Sequence, residues 1–339
     1  MKLNYSKICS ELLEDLPKRD KEVIWRRFGL EGDEKETLQG VGNSYGLTRE
    51  RVRQIQEGTV SKIKPRVKNY EEVAEYFIDH LRSSGNLRKE DVLLASLGGQ
   101  DFQNHVAFLL TVQDPFFRFP ESDEYHSFWT IEPKSLNFAK KIINSFYNLL
   151  RKRKKPLNLG DLSPFSAFGK NLEVKPINAL SLEATRSFLE ISKKIHQNEE
   201  GYFGLPDWPE INPKGIKDRA YLVFKKEQKP LHFAQVAKLI SNSCNVQTCH
   251  NELIKDPRFV LIGRGTYALQ EWGYNPGVVK DVLLDILKMA KKPLAKEEII
   301  SSVLKQRLVK ENTILLNLNN KKYFTKNKAG KYVLADKKA

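Results

Sequence analysis

The sequence predicts a mainly α, multi-domain chain: a helix-turn-helix followed by tandem winged-helix units whose strands form only small β-hairpin wings. Three observations predict it. The first 68 residues alternate helically spaced apolar residues with glycine-bearing turns. Lys229-Pro230-Leu231 and Lys292-Pro293-Leu294 each precede a helical stretch, a second helix and a strand pair ending in Tyr267-Ala268-Leu269 or Tyr332-Val333-Leu334, the mark of an internal repeat. A chain of 339 residues, 40% hydrophobic and 29% charged, is long enough for two or three globular cores.

Leu12, Leu13, Leu16, Val23, Ile24 and Phe28 keep helical spacing, with Pro17 where a new helix can begin. Gly29 and Gly32 end that stretch. Leu38 and Val41 start a brief helix, which Gly40 weakens by roughly 1 kcal/mol, and Tyr45-Gly46-Leu47 supplies a turn. Thr48 suits the N-cap of a helix over 49–56, because its hydroxyl can accept from an exposed backbone N–H. Helix, glycine turn and capped second helix make a helix-turn-helix. Val52 and Ile55 face inward, so Arg49, Glu50, Arg53 and Gln54 share the outer surface near the helix start, where recognition helices meet bases. Arginine fits guanine edges, glutamine fits adenine, and glutamate accepts from cytosine N4. A solvated charged helix face has the same pattern.

The stretch Leu16-Pro17-Lys18-Arg19-Asp20-Lys21-Glu22-Val23-Ile24-Trp25-Arg26-Arg27-Phe28-Gly29-Leu30, followed by Tyr45-Gly46-Leu47-Thr48-Arg49-Glu50-Arg51-Val52-Arg53-Gln54-Ile55, closely resembles region 4 of bacterial primary sigma factors. In that family the module reads the −35 promoter element and docks on the flap of the RNA polymerase β subunit. The resemblance implies double-stranded DNA and polymerase as partners. It puts Glu50, Arg53 and Gln54 at base-contacting positions, with Thr48, Arg49 and Arg51 beside them along the DNA. One departure is Gln39-Gly40-Val41-Gly42, where the family usually has two acidic residues before an aliphatic one. No aromatic-rich region of the kind that melts the −10 element is found upstream, so the chain is not expected to open promoters as a sigma factor does.

Residues 69–131 fit a possible winged helix. Val73, Tyr76, Phe77 and Leu81 mark one helix, residues 89–97 and 102–112 two more, and residues 116–119 and 127–130 the wing strands. Residues 132–213 read as a helical and linker segment. Leu136, Ala139, Ile142, Ile143, Phe146 and Leu149 make an amphipathic helix ending in Arg151-Lys152-Arg153-Lys154-Lys155, where cations suit the helix dipole. Residues 157–179 read as linker, 182–196 as a helix, and Trp208 to Pro213 as a rigid lead-in.

In residues 214–274, Arg219-Ala220-Tyr221-Leu222-Val223-Phe224, Pro230-Leu231-His232-Phe233, Arg258-Phe259-Val260-Leu261-Ile262-Gly263 and Leu269-Gln270-Glu271-Trp272 look like the HARE-HTH domain. That winged-helix family includes the N-terminal domain of the RNA polymerase δ subunit, and the resemblance implies nucleic-acid or polymerase binding. Residues 275–339 repeat the plan. Arg264, at a glycine-flanked wing tip, suits a minor groove, and Lys322, Lys326, Lys328 and Lys331 suit phosphates. Ordinary surface hairpins would look the same. Tyr267, Trp272, Phe324 and Tyr332 are expected in cores.

The net charge of +15 favours polyanions, nucleic acid first. Three cysteines exclude a disulfide framework and suit a reducing cytoplasm. Cys244, Cys249 and His250 have no second cluster to complete a zinc site, so neither metal nor cofactor is expected. The first residues lack a signal-peptide core, and no run approaches the roughly 18 apolar residues of a membrane span. The acids are scattered among lysines without a nuclease-like cluster, and no glycine-rich stretch leads into a phosphate-binding Gly-Lys-Ser/Thr. The expected protein is therefore a cytoplasmic DNA-binding regulator with no catalytic residue and no small-molecule substrate. The alternative is a polymerase-associated adaptor, δ-like, that binds mainly protein.

Overall fold

The computed structural model describes residues 3–32, 34–161 and 181–335. The chain divides into two units, residues 1–211 and 212–339. It is mainly helical, with small antiparallel sheets.

The first unit opens with α1 (Tyr5–Leu13), α2 (Lys18–Phe28), α3 (Leu38–Tyr45) and α4 (Arg49–Val67). Asn4 caps α1 by accepting from the Lys7 N–H, which starts the helix well ahead of the apolar run that predicts it. The helix expected over 49–56 continues to Val67, because Thr59, Ile63 and Val67 extend the buried stripe of Val52 and Ile55 at helical spacing. Pro65 lies within that helix, near its end.

Among the described residues the rest of the chain repeats one plan: a helix, a short strand, one or two further helices and a hairpin whose second strand pairs back to the first. Copy A has α5 (Glu71–Ser83), β1 (Leu87–Lys89), α6 (Glu90–Gly98), α7 (Gln103–Val112), β2 (Phe117–Phe119) and β3 (Phe128–Thr130), with sheet order β1-β3-β2. Copy B has α8 (Ser135–Arg153), β4 (Leu157–Asn158), α9 (Leu182–Glu190), β5 (His196–Gln197) and β6 (Tyr202–Gly204), ordered β4-β6-β5. Copy C has α10 (Gly215–Glu227), β7 (Leu231–His232), α11 (Phe233–Ile240), α12 (Val246–Lys255), β8 (Phe259–Gly263) and β9 (Thr266–Leu269), ordered β7-β9-β8. Copy D has α13 (Val279–Ala290), α14 (Lys296–Leu304), α15 (Glu311–Leu318), β10 (Phe324–Lys326) and β11 (Tyr332–Leu334). There Leu294 bridges Tyr332 in place of a first strand.

Copy B departs from the helical and linker reading. Leu157 and Asn158 pair with Phe203 and Tyr202 instead of forming loop, while residues 162–180 of the expected linker lie outside the described residues. The helix expected over 182–196 stops at Glu190. Ile191 and Ile195 keep helical spacing, but the backbone is drawn into pairing with copy A: the His126 N–H donates to Ile191 O (2.8 Å) and the Lys193 N–H to Glu124 O (3.0 Å). Trp208 and Ile211 fold back onto Gly204, where a Cβ would lie 2.6 Å from Ile211, so this stretch packs on copy B instead of leading away from it.

Within the first unit the opening helices and copy A share one core. Leu12, Leu13, Ile24, Ile63 and Val67 meet Phe77, Phe108 and Trp129 in it. A small separate cluster of Val23, Val41, Val52 and Ile55 holds α2, α3 and α4 together. Copy B gathers Phe146, Phe188 and Phe203, with Leu87 and Phe128 contributed by copy A. In the second unit Phe224 and Tyr267 centre copy C, and Phe324 and Tyr332 are buried in copy D. Trp272 is only partly buried against the copy C core.

Candidate nucleic-acid interface

The helix-turn-helix is assembled from polar clamps around that small cluster. Arg26 near the end of α2 makes a two-pronged pair with Glu36 (2.6 and 2.8 Å) and reaches Ser44 on α3 (2.8 Å). Arg27 bonds the Glu36 carbonyl and Gln56 Oε1 on α4. These bonds hold the connecting loop, so that Thr37 can cap α3 by accepting from Gly40 N (3.0 Å). The cap offsets some of the helix weakness expected from Gly40. Gly46 ends α3 with φ +63°. Gly42 has a packing role: a Cβ there would sit 2.6 Å from Leu47 O and touch Val52, so glycine lets α3 approach the turn and α4.

Thr48 caps α4, its hydroxyl accepting from Arg51 N at 3.2 Å, as its position in the sequence predicts. Val52 and Ile55 are buried, while Thr48, Arg49, Glu50, Arg51, Arg53 and Gln54 are all exposed along the first turns of α4. The sequence does not show that these side chains are already engaged with one another. Arg53 grips Glu50 with two bonds (2.7 and 2.9 Å) and also bonds Glu57. The two carboxylates raise the proton affinity of the guanidinium, and Arg53 in turn holds the Glu50 carboxyl below its usual range. Exposed pairs of this kind contribute little stability. They orient the arginine fork and neutralise it before any ligand arrives. Arg51 occupies Gln54 Oε1 (3.1 Å), leaving the Gln54 amide N–H groups as donors. Arg49 shares a shallow recess with Arg27, Thr37, Leu38 and Gln39.

Arg264 is exposed in the turn between β8 and β9, and Lys322 and Lys328 are exposed before and after β10. They belong to the second unit, whereas the α4 residues belong to the first. Lys322 Nζ lies 5.7 Å from the Tyr323 ring centre. Arg26, Arg27 and Gly42 are the positioning residues that sequence reasoning passed over. The Arg26-Arg27 pair at a helix end was a visible signal, but the clamp on Glu36 depends on loop geometry. Among the described residues no group of three His, Cys, Asp or Glu side chains is arranged to hold a metal ion, and no helix is long and apolar enough to cross a membrane. Cys249 is buried, which pushes its thiol up to about 11, and the His250 ring stacks on Phe233 at 4.1 Å.

The family described as "Sigma-70, region 4" matches residues 12–64. A protein from Coxiella burnetii named RNA polymerase sigma factor RpoS is 50% identical over 52 residues, 15% of each chain. One from Arabidopsis thaliana named RNA polymerase sigma factor sigB is 42% identical over 59 residues, 17% of this chain and 10% of that one. The similarity thus spans a small part of each relative's length. Residues 12–64, the segment that builds the α4 face, carry a sigma-70 region 4 domain.

Proposed function

We propose that the chain is a sequence-specific DNA-binding regulator of transcription that acts with bacterial RNA polymerase, reading a −35-like element through α4. The observation that carries this reading is the exposed Arg49, Glu50, Arg53 and Gln54 on the first turns of a capped helix, inside a region 4 match. On this reading Arg53 exchanges its carboxylates for a guanine edge as the helix enters the major groove, and Glu50 is released toward a cytosine amino group. Gln54 turns its amide toward adenine, while Arg49 and Arg51 take phosphates. Copies C and D act as winged-helix units, with copy C of the HARE-HTH kind.

The test is selection of duplexes from a random library by purified full-length protein without polymerase, followed by affinity measurement on selected and scrambled sites. Enrichment of one element, lost in Arg53→Ala, supports the reading; no enrichment sinks it. The adaptor reading has one observation in its favour. Ile254 and Leu316 on the second unit are 62% and 73% exposed, apolar surface of a kind that protein partners cover. Binding to core polymerase without any preference among duplexes would favour it.

A further inference from the structure

The four copies differ in what covers their last helix before the hairpin. In copy A, α7 buries His105, Val106, Phe108, Leu109, Leu110 and Val112, and Phe108 meets Phe28 of α2 edge-on at 5.2 Å. In copy B, α9 is fastened to copy A. Ser187 Oγ donates to Leu87 O (2.5 Å), Glu183 pairs with Arg88 (2.6 Å), and the Phe188 ring stands 2.7 Å from where a Cβ on Gly85 would be. Neither helix has a free face wide enough to enter a groove. In the second unit the matching helices are open. On α12, Gln247, Thr248, Asn251 and Ile254 are exposed; on α15, Asn312, Thr313 and Leu316 are.

Copies C and D are also locked together, so that the wing of one lies beside the open helix of the other. Arg307 is buried at 3% exposure, and its guanidinium donates to the carbonyls of Asn275 (2.6 Å) and Gly277 (2.9 Å) in the connecting segment. The Gln306 side chain accepts from Asn275 N (3.0 Å). The Leu308 N–H then donates to Ile262 O on β8 (2.7 Å), and Leu308 Cβ would lie 3.0 Å from a Cβ on Gly263. Arg264 follows Gly263 at the wing tip, and Lys310, two residues beyond Leu308, is the N-cap of α15. The tip itself is braced: Gly265 O accepts from Phe233 N (3.0 Å), and Phe233 lies between the His232 and His250 rings at 4.3 and 4.1 Å.

Charge is concentrated on this unit. Residues 214–339 hold 25 of the 57 lysines and arginines but only 11 of the 42 acidic residues, so 14 of the +15 surplus lies there. Arg264, Lys310, Lys322, Lys326, Lys328 and Lys331 are exposed, and none has a carboxylate partner among the ion pairs of the described residues.

We propose that copies C and D form one composite binding track for duplex DNA, in which the copy C wing and the start of α15 make one phosphate-gripping edge and the lysines of the copy D hairpin a second, while copies A and B serve as scaffold for α4. Duplex DNA is the partner that fits. The charge calls for a polyanion, and an exposed helix flanked by a hairpin needs a groove that admits a helix, which the deep, narrow major groove of duplex RNA does not. This inference does not depend on α4 reading bases.

The test uses full-length protein and a random-sequence duplex across a salt series. In one variant Arg264→Ala, Lys310→Ala, Lys322→Ala and Lys328→Ala are combined. In a second, Arg151→Ala, Lys152→Ala, Arg153→Ala and Lys155→Ala remove the same charge from the end of α8. All eight side chains are exposed, and an unchanged melting temperature confirms that each variant is folded. The first variant is expected to flatten the slope of log affinity against log salt by roughly 3 to 4, about 0.9 for each phosphate no longer neutralised, and the second to leave it nearly unchanged. Equal flattening in both would mean that net charge acts without a defined track, and would overturn the proposal. So would an unchanged slope in the first variant, including the case where only its binding to core polymerase is lost. Arg53→Ala should leave the slope on this random duplex nearly unchanged, and its effect on site preference is read separately on selected and scrambled duplexes, so failure of the α4 reading is scored apart from failure of this one.

Discussion

At the scale of single residues, the helix-turn-helix depends on two glycines with opposite requirements. Gly42 sits where a Cβ would lie 2.6 Å from the Leu47 carbonyl, a backbone atom that cannot swing aside. Gly58, on α4, has nothing within 4 Å of its Cβ position. Gly42→Ala should therefore destabilise the first unit by about 1–3 kcal/mol through overpacking. Gly58→Ala should stabilise it by about 0.5–1 kcal/mol through helix propensity. Denaturant melts of the two variants check both signs; a stabilised Gly42→Ala protein would remove the close-approach argument. At Arg53 the question is specificity. Arg53→Ala should cost roughly 1–3 kcal/mol on a preferred site and little on random duplex. Because Glu57 competes for the same guanidinium, Glu57→Gln should tighten binding to both kinds of duplex, read as a lower Kd in each titration.

At the scale of elements, α7 decides what can fold. Its apolar side chains complete the core that α1, α2 and α4 begin, so residues 1–68 without it would leave Leu12, Ile24 and Ile63 facing water. A 1–68 fragment should show no cooperative unfolding transition, while 1–211 should melt as a folded protein in the same experiment. The elements of copies A, C and D were largely legible, because their apolar periodicity and turn residues are local. Copy B was not. Two of its three strands are only two residues long, too short to mark a hairpin in the sequence, and α9 ends where copy A captures the backbone. Three histidines of the first unit give these elements a pH dependence. Burial holds His80, His105 and His126 below the usual imidazole range, with Arg88 adding to the effect at His80, and Lys89 and Lys193 at His126. Protons then bind the unfolded chain more readily than the folded one. Stability should be full above about pH 7 and decline as pH falls through the unfolded value near 6.5 toward the depressed folded values. Melting temperature measured from pH 7.5 to 5 checks this, and His105→Gln should reduce the decline.

At the scale of the whole chain, reading and gripping are assigned to different stretches of sequence. The region 4 match lies in the first 64 residues, while residues 214–339 carry almost all of the positive surplus. The total charge was legible from composition, and so were the side chains facing outward from α4. That the last helices of copies A and B are buried was not legible, since it depends on packing between elements distant in sequence. Removing residues 212–339 should therefore separate two quantities that usually fall together. The ratio of affinities for selected and scrambled duplexes should persist in the 1–211 protein, because α4 and its supporting core are intact. Absolute affinity should fall steeply, since linked modules raise one another's effective concentration and avidity can exceed single-site affinity by about 10²–10⁴. The salt dependence should flatten at the same time, as many phosphate contacts leave together. A nuclease footprint of full-length protein should exceed that of 1–211 by roughly a helical turn for each further unit engaged. Equal footprints, affinities and salt slopes for the two proteins would mean that the second unit grips no DNA, and the adaptor reading would then account for its exposed apolar residues.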